Sequence, residues 1–189
     1  DGRTFVVLPD DGHILFSRGY AVNMAHAVLL AVDKPDASGG KIYNAADVHQ
    51  FTLGQWAEVI AHAMGAELTC VGIPGDYAYP ARELVIGRTE MQHQLFDIHA
   101  IRADLGYTDI VQPSEGLAET VRWYRDNPPN MPEEFEADLR AHYKTEDELA
   151  ELDRAYRARL AAVQHVSRPY RHPYAHPKKP NKKQDHRKR

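Results

Sequence analysis

Residues 39–65, GGKIYNAADVHQFTLGQWAEVIAHAMG, hold a turn, a strand, a loop, a capped helix and a helix stop in one stretch. Gly39 and Gly40 break the chain, and Lys41 to Ala45 form a short run with β-branched and aromatic members, as a strand does. Thr52 stands where a helix N-cap belongs, and Gln55, three residues on, reaches back to complete a capping box. Trp56, Val59, Ile60 and Ala63 then recur at helical spacing, and Gly65 suits the left-handed residue just past a helix end. A strand followed so closely by a capped helix predicts an α/β protein.

The flanking sequence supplies further elements. Thr4–Leu8 and His13–Phe16 flank PDDG, and Asp11-Gly12 predicts a hairpin between them. Tyr20 to Val32 is apolar with helical composition and predicts a buried helix; Glu67 to Ile73 predicts a strand. Residues 74–96 read as irregular. Asp97 can cap a short helix carrying Ile98, Ile101 and Leu105, stopped by Gly106, and another helix runs from Ser114 to Arg125 until Asn127-Pro128-Pro129 ends it.

From residue 130 the character changes. Pro132 opens a helix with Phe135 and Leu139, and Thr145 with Glu148 predicts a second capping box and a separate helix. That helix carries Leu149, Leu152, Tyr156, Leu160 and Val163 on one stripe, which must cover the body or a second subunit. The end, SRPYRHPYAHPKKPNKKQDHRKR, is too rich in proline and charge to pack and predicts a disordered basic tail. Three regions follow: 1–129, a helical extension at 130–166, and a tail at 167–189.

Composition limits the partners. The 189 residues carry a net charge of −4, but nine Lys and Arg against one Asp after residue 166 leave residues 1–166 at −12. An acidic body of that kind argues against specific nucleic-acid binding. The single cysteine, Cys70, excludes an intramolecular disulfide; it lies in an apolar run, reads as an inert buried thiol and fits a cytoplasmic protein. No stretch has the roughly 20 apolar residues of a membrane span. The chain opens on Asp1, straight into an apolar strand, and reads as a cut end.

Catalytic motifs do not follow from this frame. The twelve glycines never take the spacing that brings backbone to a pyrophosphate at a helix N-terminus. One tyrosine precedes a lysine by four residues, the arrangement that lowers a phenol's pKa for proton transfer. It is Tyr174 with Lys178, and Pro173 and Pro177 forbid the helical turn it needs. The histidines, His26 and His62 among them, form no zinc-type spacing with cysteine or carboxylate, and no serine sits in a nucleophile elbow.

The order of the pieces nevertheless resembles a known family. RGYAVNMAHAVLLAVDKP, GGKIYNAAD, FTLGQWAEVIAHAMG and FDIHAIRADLGYTDIVQPSEGLAETVRWYRDNP are similar to the C-terminal half of the NAD-dependent epimerase/dehydratase family, the extended short-chain dehydrogenases. The resemblance covers about residues 5–127. It implies an α/β fold, the C-terminal part of a Rossmann-type enzyme: a late sheet strand and the small substrate-binding domain. The glycine-rich loop and the catalytic tyrosine and lysine would lie upstream of Asp1. It also implies NAD or NADP as cofactor of the full-length protein, with none expected for this chain alone.

Three residues are carried over as substrate-binding. Arg18, in FSRGY, resembles the arginine that meets the substrate diphosphate in sugar epimerases, and Arg88, in VIGRTE, falls where those enzymes place a second. Asn23 stands where the family's helix usually has Asp, and Ala100 replaces a usual Lys; both departures weaken the case for a nucleotide sugar. The expected partners are a small-molecule substrate, anionic in this reading of Arg18, and a second copy through the amphipathic helices. The rival is a non-catalytic scaffold that uses the 145–163 helix and the basic tail to bind partners.

Overall fold

The computed structural model describes residues 2–78, 81 and 92–164. Arg88, the Tyr174–Lys178 pair and the tail from residue 167 lie outside the described residues. The expectation of an α/β protein holds: two parallel strands, β1 (Phe5–Pro9) and β2 (Thr69–Ile73), pair in register from Phe5 opposite Thr69 to Pro9 opposite Ile73. Between them run α1 (Ala21–Asp33), the short α2 (Pro35–Ser38) and α3 (Leu53–Met64); α4 (His99–Leu105), α5 (Pro113–Asp126) and α6 (Glu133–Ala161) follow β2.

The sheet buries both faces, as the two-residue period of a strand allows. Val6, Leu8 and Cys70 join Ile14, Phe16, Leu53 and Ala57 on one face. Val7, Val71 and Ile73 meet Ala78 and Leu149 on the other. Burial raises the Cys70 thiol above its ordinary value, in keeping with an unreactive residue. A separate core gathers Ala27, Ile101, Leu105 and Tyr107, with Leu30 and Tyr43 against it.

Local chemistry forms α3 as anticipated, whereas the N-cap residue of α4 is Ile98, whose side chain makes no cap bond. Thr52 accepts from the Gln55 amide at 3.2 Å, the Gln55 side chain accepts from Thr52 N at 2.9 Å, and Gly65 ends the helix at φ 69°. Asp97 accepts from the His99 amide at 2.7 Å, and Gly106 at φ 71° closes α4.

Four expectations are corrected. Segment 13–16 does not fold back on β1. Asp10, Asp11 and Gly12 are all left-handed, at φ 46°, 55° and 67°, and make a tight 3-10 turn. Its partners lie elsewhere, Leu15 bridging to Thr52 and Phe16 to Gln94, while β1 pairs with β2. Lys41–Ala45 is not a strand either; no described strand runs beside it, and Ile42 is 97% exposed. Helix α1 is half buried rather than buried: Asn23 and Ala27 face inward while Val28, Leu29 and Val32 face out.

The two helices expected after residue 130 are one. No breaker interrupts α6, and Thr145 turns its hydroxyl back to the Ala141 carbonyl at 3.3 Å instead of capping a new helix. The chain divides into compact units at 1–155 and 156–189, so most of α6 stays with the body. Arg3 holds it there, donating to Glu146 at 3.0 Å, pairing with Asp147 at 3.0 Å, and lying 4.3 Å from the Tyr143 ring centre. The stripe on α6 is used unevenly. Leu149 packs on Val7 and Ile73, whereas Leu152 is exposed.

Among the described residues, no helix is long and apolar enough to cross a membrane.

Candidate functional site

The segment from Phe16 to Tyr20 leads into α1 and is gripped by the loop that leads into α3. The side-chain amide of Gln50 pairs with Arg18 as a peptide group would: Oε1 accepts from Arg18 N at 2.9 Å and Nε2 donates to Arg18 O at 3.0 Å. Asp47 N donates to the same carbonyl at 2.9 Å. Both Asp47 carboxylate oxygens accept from Tyr20 N, at 3.1 and 3.0 Å. Tyr20 is the N-cap residue of α1 and brings no capping side chain, so a carboxylate from elsewhere in the chain does the work.

Beneath this turn lies Asn23, with no exposed surface. Its Nδ2 donates to Asp47 Oδ1 at 2.8 Å and to the Val111 carbonyl at 2.9 Å, and its Oδ1 accepts from the amides of Ile110 and Val111 at 3.1 and 3.0 Å. Two donors and two acceptor sites are the full capacity of a side-chain amide. Asp109 repeats the pattern nearby, accepting from Val48 N at 2.9 and 3.0 Å and from the Tyr107 hydroxyl at 3.2 Å. Burial pushes the Asp47 carboxyl above its ordinary value, the bonds from Asn23 and Tyr20 pull against that, and the Asp109 charge adds to it.

Helices α3 and α5 complete the site. They frame a cleft of about 240 Å³ lined by Arg18, Tyr20, His49, Gln50, Trp56 and Leu117, among others. The Arg18 side chain is exposed at this cleft, its guanidinium carbon 4.5 Å from the centre of the Trp56 ring and 5.5 Å from that of Phe16. Among the described residues, therefore, the guanidinium rests on ring faces rather than in an ion pair. Stacking holds it in place and leaves its N–H groups for an oxyanion. The hydroxyl of Tyr20, which also lines the cleft, donates to Glu119 at 2.5 Å, a bond that raises the phenol above its ordinary value. The Gln50 amide is spent on the backbone, its Nε2 donating to the Asp47 carbonyl at 2.7 Å as well as to Arg18, so the guanidinium is the charged donor this cleft presents.

The three residues assigned to substrate thus separate. Arg18 faces the cleft. Asn23 lies under it with every donor and acceptor taken inside the protein, and Arg88 lies outside the described residues. Trp56 and Gln50 were not expected. Trp56 reads in sequence as one more apolar position of α3, and a glutamine that mimics a peptide leaves no local mark.

No family model matches the sequence, and no curated protein matches it. Solved structures are similar to part of the chain. RMD from Pseudomonas aeruginosa complexed with NADPH gives a TM-score of 0.50 at 12% identity, over 66% of this chain and 36% of that one. UDP-glucose 4-epimerase from Thermotoga maritima with UDP-glucose gives 0.49 at 21% identity over the same shares, 66% and 36%. The dTDP-glucose 4,6-dehydratase from Bacillus anthracis in complex with NAD gives 0.47 at 16% identity, again over 66% and 36%. The likeness to RMD is one of fold. The chain spans about a third of the length of these proteins, 36% in each case.

Proposed function

We propose that this chain is the substrate-facing, C-terminal portion of an NAD(P)-dependent epimerase, dehydratase or reductase, and that Arg18 takes an anionic group of the substrate. The observation that carries the reading is the stacked, exposed guanidinium of Arg18 at the cleft, with its backbone fixed by Gln50 and Asp47. The fold shared with an NADPH-complexed protein supports it. In this reading the hydride carrier and the proton-transfer pair belong to sequence upstream of residue 1, and the cleft orients what they act on. A cofactor of this kind supplies hydride chemistry, and the protein supplies position.

The test is a titration of the chain with pyrophosphate, followed by Trp56 emission in a Trp123→Phe background. Arg18→Ala should weaken binding by about 1.5–3 kcal/mol, the range for hydrogen bonds to a charged group, which is roughly 10- to 150-fold. Equal binding by the two proteins would remove Arg18 from the site.

A further inference from the structure

The Arg18 cleft does not end at Trp56. On the far side of that ring a second, larger cavity of about 550 Å³ runs between α3 and α5, lined by Ile60, Met64, Leu117, Val121 and Tyr124. Trp56, Leu117 and Thr120 line both cavities, so the two share a wall and differ in character. The first has a cation at its mouth. The second is walled mainly by aliphatic and aromatic side chains, its one charged lining residue, Arg125, being paired with Asp126 at 3.3 Å, and Met64 and Tyr124 on its wall are 66% and 54% exposed. From Trp56 to Met64 the groove follows α3 for about 12 Å, at roughly 1.5 Å per residue.

We propose that the Arg18 cleft and the α3–α5 groove are one binding site, for an amphiphile with an anionic head and an aliphatic tail. The head lies on the Arg18 guanidinium beside Gln50, and the tail passes Trp56 and Leu117 into the groove. This rests on the assignment of Arg18 to an anionic group and adds the rest of the ligand to it. Continuity with the cation cleft selects the occupant. An aliphatic tail tethered to a head held at Arg18 is delivered to the groove at high effective concentration, whereas a free protein helix would have to find the groove alone.

The experiment titrates ethyl, butyl, hexyl and octyl phosphate into the chain, each below its aggregation concentration, with Trp56 emission in the Trp123→Phe background as readout. Affinity should rise with each methylene by up to about fourfold, the factor equivalent to ~0.8 kcal/mol per buried CH₂. Met64→Glu and Tyr124→Glu alter exposed positions and leave the core alone. Each should flatten the chain-length series at least threefold between ethyl and octyl phosphate while ethyl phosphate binds as before. Arg18→Ala should weaken every member of the series by the same factor.

Equal affinity for ethyl and octyl phosphate would overturn the proposal, hand the groove to a protein partner, and leave the Arg18 assignment standing. A chain-length gain that survives both glutamate variants would overturn it too, because the tail would then lie elsewhere. An Arg18→Ala protein that binds octyl phosphate normally would remove the head, and with it both this site and the assignment beneath it.

Discussion

Arg18 and Asn23 are five residues apart, both belong to the motif that resembles one family, and both carry the same expected role. Their surroundings differ in every respect that matters. Asn23 is fully buried and makes four hydrogen bonds to Asp47, Val111 and Ile110. Arg18 is exposed, with its backbone fixed and its guanidinium stacked on Trp56. One residue joins three segments of chain; the other presents a charge to solvent from a rigid base. A motif carries a residue's position, whereas a role depends on what closes around it. The polar junction under the cleft is what makes the cleft rigid, since Asp47 bonds Asn23, caps α1 and holds the Arg18 carbonyl.

The largest expected effect comes from placing aspartate at position 23, as in the family that the motif resembles. Asn23→Asp is isosteric, but it would set a second carboxylate where Nδ2 now donates to Asp47 at 2.8 Å, and would strip the Val111 carbonyl of its donor. Two like charges in a buried site, with one broken polar network, should cost roughly 3–5 kcal/mol at pH 7. The loss should shrink as pH falls, because one proton shared between the two acids relieves the repulsion. Urea unfolding at pH 7 and at pH 5 measures both. A loss below about 1 kcal/mol would mean that Asn23 is not the keystone of the junction, and the contrast with Arg18 would collapse.

Arg18→Ala sharpens the contrast from the other side. An exposed guanidinium on an aromatic face contributes on the order of 0.5–1 kcal/mol, so its removal should lower stability by no more than that, whatever it does to pyrophosphate binding. Urea unfolding against the wild-type chain is the check. A drop of several kcal/mol would make Arg18 a structural residue like Asn23.

What the sequence made legible was local. The Thr52–Gln55 capping box and the Gly65 and Gly106 helix stops are each settled within a few residues. What it did not disclose depends on partners far along the chain. Asp11-Gly12 has the composition of a hairpin turn, but β1 pairs with β2 some sixty residues later, and no local pattern announces a parallel partner. Thr145 and Glu148 satisfy the spacing of a capping box, yet a threonine in an uninterrupted helix bonds the carbonyl four residues back. Arg18 was found through resemblance. Trp56, Gln50 and Asp47, which fix its backbone and its side chain, come from a different loop and helix.

A subtler expected effect, read as a slope with pH, lies where α6 meets β1. Glu146 is buried there, accepting from Arg3 at 3.0 Å and from the Val7 amide. The Thr4 carbonyl accepts from Thr69 N and so points toward β2; strand alternation then turns the Val7 amide to the free edge, which Glu146 covers. Burial raises the Glu146 carboxyl above its ordinary 4.5, outweighing Arg3 and the Val7 bond, which lower it. An acid whose pKa is higher folded than unfolded binds more protons in the folded state. Its contribution is therefore largest at low pH and falls as pH rises through the raised value. Asp104, held below 3.8 by Lys41 and Tyr43, slopes the opposite way and cancels in a comparison of two proteins that both contain it. Glu146→Gln keeps an acceptor for Val7 and removes the titration. The variant's stability relative to wild type should therefore rise with pH across the mildly acidic range above 4.5. Melting temperatures at half-unit pH steps would resolve it. Parallel curves would show that Glu146 titrates alike folded and unfolded, and that the α6 latch is as open to water as the Arg18 cleft.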